Sequence, residues 1–180
     1  MLRRRAGHRH DHRAPLIRPP ALLAVVALAG CEGGSSSAET TVPGAAVVEF
    51  VIDGDTVDIV IDGEEERVRL IGIDTPESRV DDGPPECFGP EASAFTAELL
   101  PAGSNVRLER DVVARDDYGR LLAYVYRLDD GLFVNEAIVR RGYATPLTIE
   151  PNDTFAAQFV AAATAAENEG LGLWTACAGL

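Results

Sequence analysis

Three short clusters carry the residue types that could do chemistry. Asp53-Gly54-Asp55-Thr56 and Asp74-Thr75-Pro76-Glu77 gather carboxylates around turn-forming residues, and Tyr118-Gly119-Arg120 sets a guanidinium near an aromatic ring. Taken singly, each is ordinary. Asp and Gly supply the backbone freedom of a hairpin turn. Asp and Thr before Pro, with an acid just beyond, suit a helix start. The third cluster reads as another turn with an exposed arginine. The rest of the chain narrows what they could do, because all three histidines (His8, His10 and His12) lie among the first thirty residues. Beyond them no Ser-His-Asp triad, Cys-His dyad or His-containing zinc site can be built. Hydrolysis there would have to run on carboxylates, arginines, hydroxyls and a hard cation.

The first thirty residues read as an export signal. Arg3, Arg4, Arg5, Arg9, Arg13 and Arg18 precede an apolar run over residues 21–30. At about ten residues that run is too short to span a bilayer, which takes roughly 20. It ends in Leu28-Ala29-Gly30-Cys31, which resembles a bacterial lipobox. The resemblance implies cleavage before Cys31, a diacylglyceryl group on its sulfur, and anchoring to the outer face of the cytoplasmic membrane or later release. An amphipathic tail or an ordinary signal with a chance cysteine is the plainer alternative. Residues 31–44, rich in Gly, Ser and Thr, read as a flexible tether, and residues 45–180 as one folded domain.

Charge sets a condition on any polyanionic substrate. Six of the 16 basic residues and one of the 29 acids lie before Cys31, which leaves ten against 28, a net charge of −18. No lysine occurs. Such a surface repels nucleic acid at long range, so binding would have to be local, through clustered arginines and a divalent cation. With Cys31 lipidated, Cys87 and Cys177 remain as an even pair in an oxidising compartment. One disulfide is the expectation, worth about 4 kcal/mol on the chain-entropy view. Two buried free thiols are the alternative.

The elements that must position the clusters follow from alternation and turn signals. Strands are expected over residues 47–51, 56–61, 67–73, 105–110 and 121–128, with Asp62-Gly63 as a hairpin turn. Helices are expected from Pro90 to about Leu100, from Val134 to Arg141 before Gly142, and from a Pro151-Asn152-Asp153-Thr154 cap to about Asn168. Trp174 is expected to dock on the body. Five strands with three helices fit an OB-type Greek-key barrel, α+β and mostly β. Another small α+β barrel would satisfy the pattern alone.

Together the clusters say more than apart. VIDGDTV at 51–57, RVRLIGIDTPE at 67–77, FGPEASAFT at 88–96, DYGRLLAYVY at 117–126 and VNEAIVRRG at 134–142 resemble the staphylococcal nuclease (thermonuclease) family, in its order. The resemblance implies a calcium-dependent nuclease cleaving DNA and RNA to 3′-phosphorylated products. It makes Asp55 and Asp74 the calcium carboxylates, with the carbonyl of Thr75 as a further ligand, which suits a hard ion taking 6–8 oxygens. Glu77 matches the glutamate that contacts the attacking water, and Arg69 and Arg120 the pair that grips phosphate. Tyr118 is expected to touch substrate. Asp53 and Thr56 are expected to shape the metal loop without ligating.

The match weakens in places. The family's groove carries tyrosines after the second helix, where residues 144–150 here have none, and Asp117 replaces a lysine. The loop after Glu77 carries Asp81, Asp82 and Glu86, whereas the staphylococcal enzyme is basic there. Weaker, more salt-sensitive binding is expected, with unaltered chemistry. A monomer is expected. The rival interpretation is a non-catalytic OB-type module binding nucleic acid or another partner, which the heavy negative charge favours. Retention of Asp55, Arg69, Asp74, Glu77 and Arg120 speaks against it. A calcium-binding adhesive lipoprotein would explain the acids but not the arginines.

Overall fold

A computed structural model describes residues 46–80 and 83–179. The expected signal peptide, the lipid site Cys31 and the tether lie outside the described residues. Strands β1 (Ala46–Asp53), β2 (Thr56–Ile61) and β3 (Glu64–Leu70) form a meander, followed by the short β4 (Gly72–Asp74). Helix α1 (Gly89–Leu99), strands β5 (Asn105–Glu109) and β6 (Leu121–Arg127), and helix α2 (Val134–Arg140) come next. The chain then forms β7 (Thr145–Leu147), α3 (Ala156–Asn168) and α4 (Leu173–Ala176). Five strands close a barrel in the order β1-β2-β3-β6-β5, while β4 and β7 pair separately.

Alternation builds the barrel. Val57 and Ile59 of β2, Val68 and Leu70 of β3, and Val106 and Leu108 of β5 point into the core and are almost fully buried. At roughly 1.5–3 kcal/mol per fully buried aliphatic side chain, this inner face is the main source of stability. Asp62 and Gly63 both take positive φ, 52° and 90°, the turn expected between β2 and β3. The β1–β2 register shifts twice, between Val48 and Phe50 and between Val51 and Asp53. Such bulges increase the local twist and help a meander curl into a barrel.

The third expected strand divides in two. Gly72 has φ 81°, and a Cβ there would lie 2.2 Å from the Phe159 ring. The chain therefore leaves the barrel after Leu70, and β4 runs outward against β7, carrying Asp74 with it. Buried Asn135 of α2 braces the departure point. Its side chain accepts the Val125 amide at 2.9 Å and donates to the Ile71 carbonyl at 2.9 Å. An alanine there would leave buried backbone groups unpaired, at about 1–3 kcal/mol each.

Two expectations about helices need correction. There are four helices among the described residues, not three, the last being the single turn α4. The third begins at Ala156 rather than directly after Pro151-Asn152-Asp153-Thr154. Asn152 is engaged elsewhere, accepting the Val113 amide at 2.8 Å and donating to the Val113 carbonyl at 3.0 Å. Thr154 donates through its amide and hydroxyl to Asp111, so neither residue is available as a helix cap. Phe155 and Phe159 pack against Tyr124 and Phe133 over the barrel, and Trp174 packs against the core as expected. Cys87 and Cys177 are bonded, with 90 residues between them in sequence.

Candidate active site

Register brings the clusters together. Arg69, next to last in β3, lies opposite Thr56 of β2 on one side and Leu122 of β6 on the other. The β1–β2 turn bearing Asp55 and the Tyr118–Arg120 turn before β6 therefore flank the same arginine. The β1–β2 turn needs its glycine: a Cβ on Gly54 would approach the Thr75 side chain to 2.7 Å. Its carbonyl accepts the fully buried hydroxyl of Thr96 from α1 at 2.6 Å.

Asp55 is the buried hub. Its Oδ2 accepts the Thr75 amide at 3.0 Å and the Thr75 hydroxyl at 3.1 Å, and lies 3.0 Å from Nη2 of Arg69. Its Oδ1 accepts the Thr56 hydroxyl at 3.1 Å. The same Nη2 bonds Asp74 Oδ1 at 3.1 Å, while Nη1 donates to the Leu70 carbonyl at 2.8 Å. One guanidinium thus ties both expected calcium carboxylates to the barrel. Asp74 itself is 54% exposed.

An open cavity of about 820 Å³ is lined by Asp53, Asp55, Arg69, Glu77, Tyr118 and Arg120, among others. Asp74 and Thr75 line a separate cavity of about 320 Å³ instead. Arg120 donates through Nε to Asp116 Oδ2 at 2.7 Å and through its amide to Oδ1 at 2.9 Å. Its guanidinium carbon lies 5.4 Å from the centre of the Tyr118 ring, which is 86% exposed.

Carboxylates crowd the other wall. Burial raises Glu77 to about 7, helped by a hydrogen bond with Asp53 and by the charges of Asp53, Asp55 and Glu86. Burial also raises Asp74 against the opposing pull of Arg69, with Asp55 and Glu86 adding to the rise. Among the described residues no three Asp, Glu, His or Cys side chains form a ready metal cluster. The oxygens of Asp55 and Asp74 nevertheless meet at one cationic atom, Arg69 Nη2. That donor set is hard oxygen beside surplus negative charge, and it fits calcium completed by a main-chain carbonyl and waters.

Asp53 braces the loop as expected, accepting the Gly54 amide at 2.8 Å and the Ser78 amide at 3.3 Å. Three further contributors escaped the sequence. Thr96, Glu86 and Asp116 each hold a site segment in place. Only Asp116 left a signal, an acid four residues before Arg120. Thr96 and Glu86 act across folds of the chain that no local pattern reveals.

Residues 67–176 match the family described as staphylococcal nuclease homologue. A thermonuclease of Staphylococcus intermedius is 40% identical over 144 residues, 79% of this chain and 84% of its own length. A thermonuclease of Staphylococcus hyicus is 43% identical over 102 residues, 57% of this chain and 59% of its own length. Endonuclease YncB of Bacillus subtilis is 36% identical over 130 residues, 71% of this chain and 60% of its own length. The match thus spans most of the first relative and about three fifths of the other two. The chain belongs to the staphylococcal nuclease homologue family.

Proposed function

We propose that this protein is a calcium-dependent nuclease that hydrolyses phosphodiester bonds of DNA and RNA and leaves 3′-phosphates. Membership of the family makes it a nuclease hydrolase. The finer statement is supported by one observation: Asp55, Arg69, Glu77 and Arg120, distant in sequence, line one open cavity. Asp55 and Asp74, with the Thr75 carbonyl, would hold the calcium. When bound, that ion would polarise the phosphate and offset the local negative charge.

The chain's own residues do the rest. Glu77 accepts a proton from the attacking water or orients it. Arg69 and Arg120 grip phosphate oxygens through planar forks of donors. Negative charge builds on those oxygens as the phosphorus becomes five-coordinate, so fixed cations stabilise the transition state more than the ground state. Tyr118, largely exposed beside Arg120, offers a ring face to the substrate. The N-terminal sequence supports export and a lipid anchor on Cys31, with the folded domain acting as a monomer outside the membrane.

The test is product analysis. Full-length protein is incubated with denatured DNA or with RNA in millimolar calcium, and the new ends are mapped. Phosphate on the 3′ side is expected for both polymers. Ends bearing 5′-phosphate would overturn the assigned direction of cleavage, and no cleavage of either polymer would favour a binding module.

A further inference from the structure

The segment that carries Glu77 is gripped from outside the barrel. The Glu77 carbonyl accepts the Glu86 amide at 3.0 Å, and the Glu77 amide donates to Glu86 Oε2 at 3.0 Å. The Glu86 carbonyl in turn accepts the amide of Gly89, where α1 begins, at 3.0 Å. A Cβ on Gly89 would come within 2.2 Å of the Glu77 carbonyl oxygen, so only glycine lets the helix start this close. Both polar groups of the Glu77 backbone are therefore held by Glu86.

Glu86 has a covalent support next to it. Cys87 is bonded to Cys177, with Cα atoms 6.0 Å apart. The Cys177 amide donates to Leu173 at 2.9 Å, and the Leu173 amide to the Gly142 carbonyl at 2.8 Å, at the end of α2. Gly142 packs so tightly here that a Cβ would lie 2.4 Å from the Leu171 carbonyl oxygen. A continuous line of bonds thus joins the Glu77 backbone to a helix packed on the core.

We propose that Glu86 is a positioning residue for Glu77, and that the Cys87–Cys177 bond holds Glu86 in register. The proposal rests on the role given to Glu77 above. Glu77 shares its cavity wall with Asp53 and Asp55, so where its carboxylate sits depends on how firmly its backbone is held. Fixing the backbone on both its donor and its acceptor restricts the carboxylate to side-chain rotation. The acid in this loop then serves the site through the main chain, besides the charge it places near Glu77 and Asp74.

The test compares Glu86→Ala, Glu86→Gln and the reduced wild-type protein, all full length and in calcium, by turnover and by hydrogen exchange at the Glu77 amide. Glu86→Ala is expected to lower kcat by about 10- to 100-fold with KM nearly unchanged, the usual scale for a catalytic group displaced by an ångström. Its Glu77 amide should exchange about tenfold faster, the equivalent of about 1.4 kcal/mol for a lost hydrogen bond to a carboxylate. Glu86→Gln keeps an oxygen acceptor and should restore most of both. Reduction should speed exchange and slow turnover in the wild type, and add little in Glu86→Ala. Wild-type exchange in Glu86→Ala would overturn the clamp, and wild-type exchange after reduction would overturn the tether. Glu86→Gln as impaired as Glu86→Ala would overturn the hydrogen-bond basis. Should Glu86→Ala not fold, Glu86→Gln and the reduced protein still decide. A Glu77→Gln variant turning over normally would remove the catalytic role of Glu77, while the exchange rates would still report on the clamp.

Discussion

The two arginines of the site are held in opposite ways. Arg69 sits on the outer face of barrel strand β3, its side chain 14% exposed, bound to Asp55, Asp74 and the Leu70 carbonyl. Arg120 stands on a turn, 31% exposed, with its side chain bonded to Asp116 and lying beside the Tyr118 ring. One cation is tied into the fold on three sides, and the other rests on a small scaffold. Both line the same cavity, so the proposed function expects similar contributions to catalysis beside very different contributions to folding.

The largest effect should follow Arg69→Ala. Turnover should fall by about 10²–10³-fold, as for other fixed donors aimed at developing charge. Stability should fall as well, by about 3 kcal/mol, because Asp55 keeps a buried charge without its partner. Arg120→Ala should cost a comparable factor in turnover, yet melt within about 1 kcal/mol of wild type, the usual worth of a partly exposed ion pair. Chemical denaturation beside steady-state kinetics measures both. Equal destabilisation by the two substitutions would break the contrast.

Asp116→Asn sharpens it. The amide oxygen can still accept the Arg120 and Tyr118 amides, but the charged contact with Nε weakens. A rise in KM of about tenfold is expected with the melting temperature little changed, a charge-assisted bond being worth about 1.5–3 kcal/mol. Unchanged kinetics would mean that Asp116 shapes only the turn.

Asp111 provides a control for stability without chemistry. Partial burial pushes its carboxyl up, but hydrogen bonds from the Tyr124 hydroxyl, the Thr154 amide and hydroxyl and the Val112 amide outweigh that, leaving it below the ordinary value. A carboxylate lowered on folding stabilises the native state above its unfolded pKa of about 4, and that contribution is lost as pH falls through the folded pKa. Asp111→Asn should therefore lower the melting temperature at pH 7, and the gap should close as the solution is acidified below about pH 4. Turnover should not change. A gap independent of pH would show that shape, rather than charge, matters there.

Much of this was legible from the order of residues. The strands could be read because Val57, Ile59, Val68 and Leu70 alternate with polar neighbours, and alternation is a local signal. Asp55, Asp74, Glu77, Arg69 and Arg120 could be named because their flanking motifs resemble a family. What could not be read is long-range. The division of the third strand depends on the Phe159 ring lying under Gly72, 87 residues away in sequence. The start of α3 moved because Asn152 and Thr154 bind Val113 and Asp111 rather than cap a helix. The same holds at the site, where Thr96 reaches Gly54 and Glu86 reaches Glu77 across folds of the chain.

The central claim is that carboxylates and arginines around one cavity cleave phosphodiester bonds with calcium. Its most direct test follows cleavage of denatured DNA by the full-length protein as calcium is titrated in from a chelated start, with Glu77→Gln alongside. Expected are no cleavage in chelator, a saturable rise with calcium, and a variant slower by about 10²-fold or more that still binds the ion by calorimetry. Undiminished cleavage in chelator, or a variant as fast as wild type, would contradict the account.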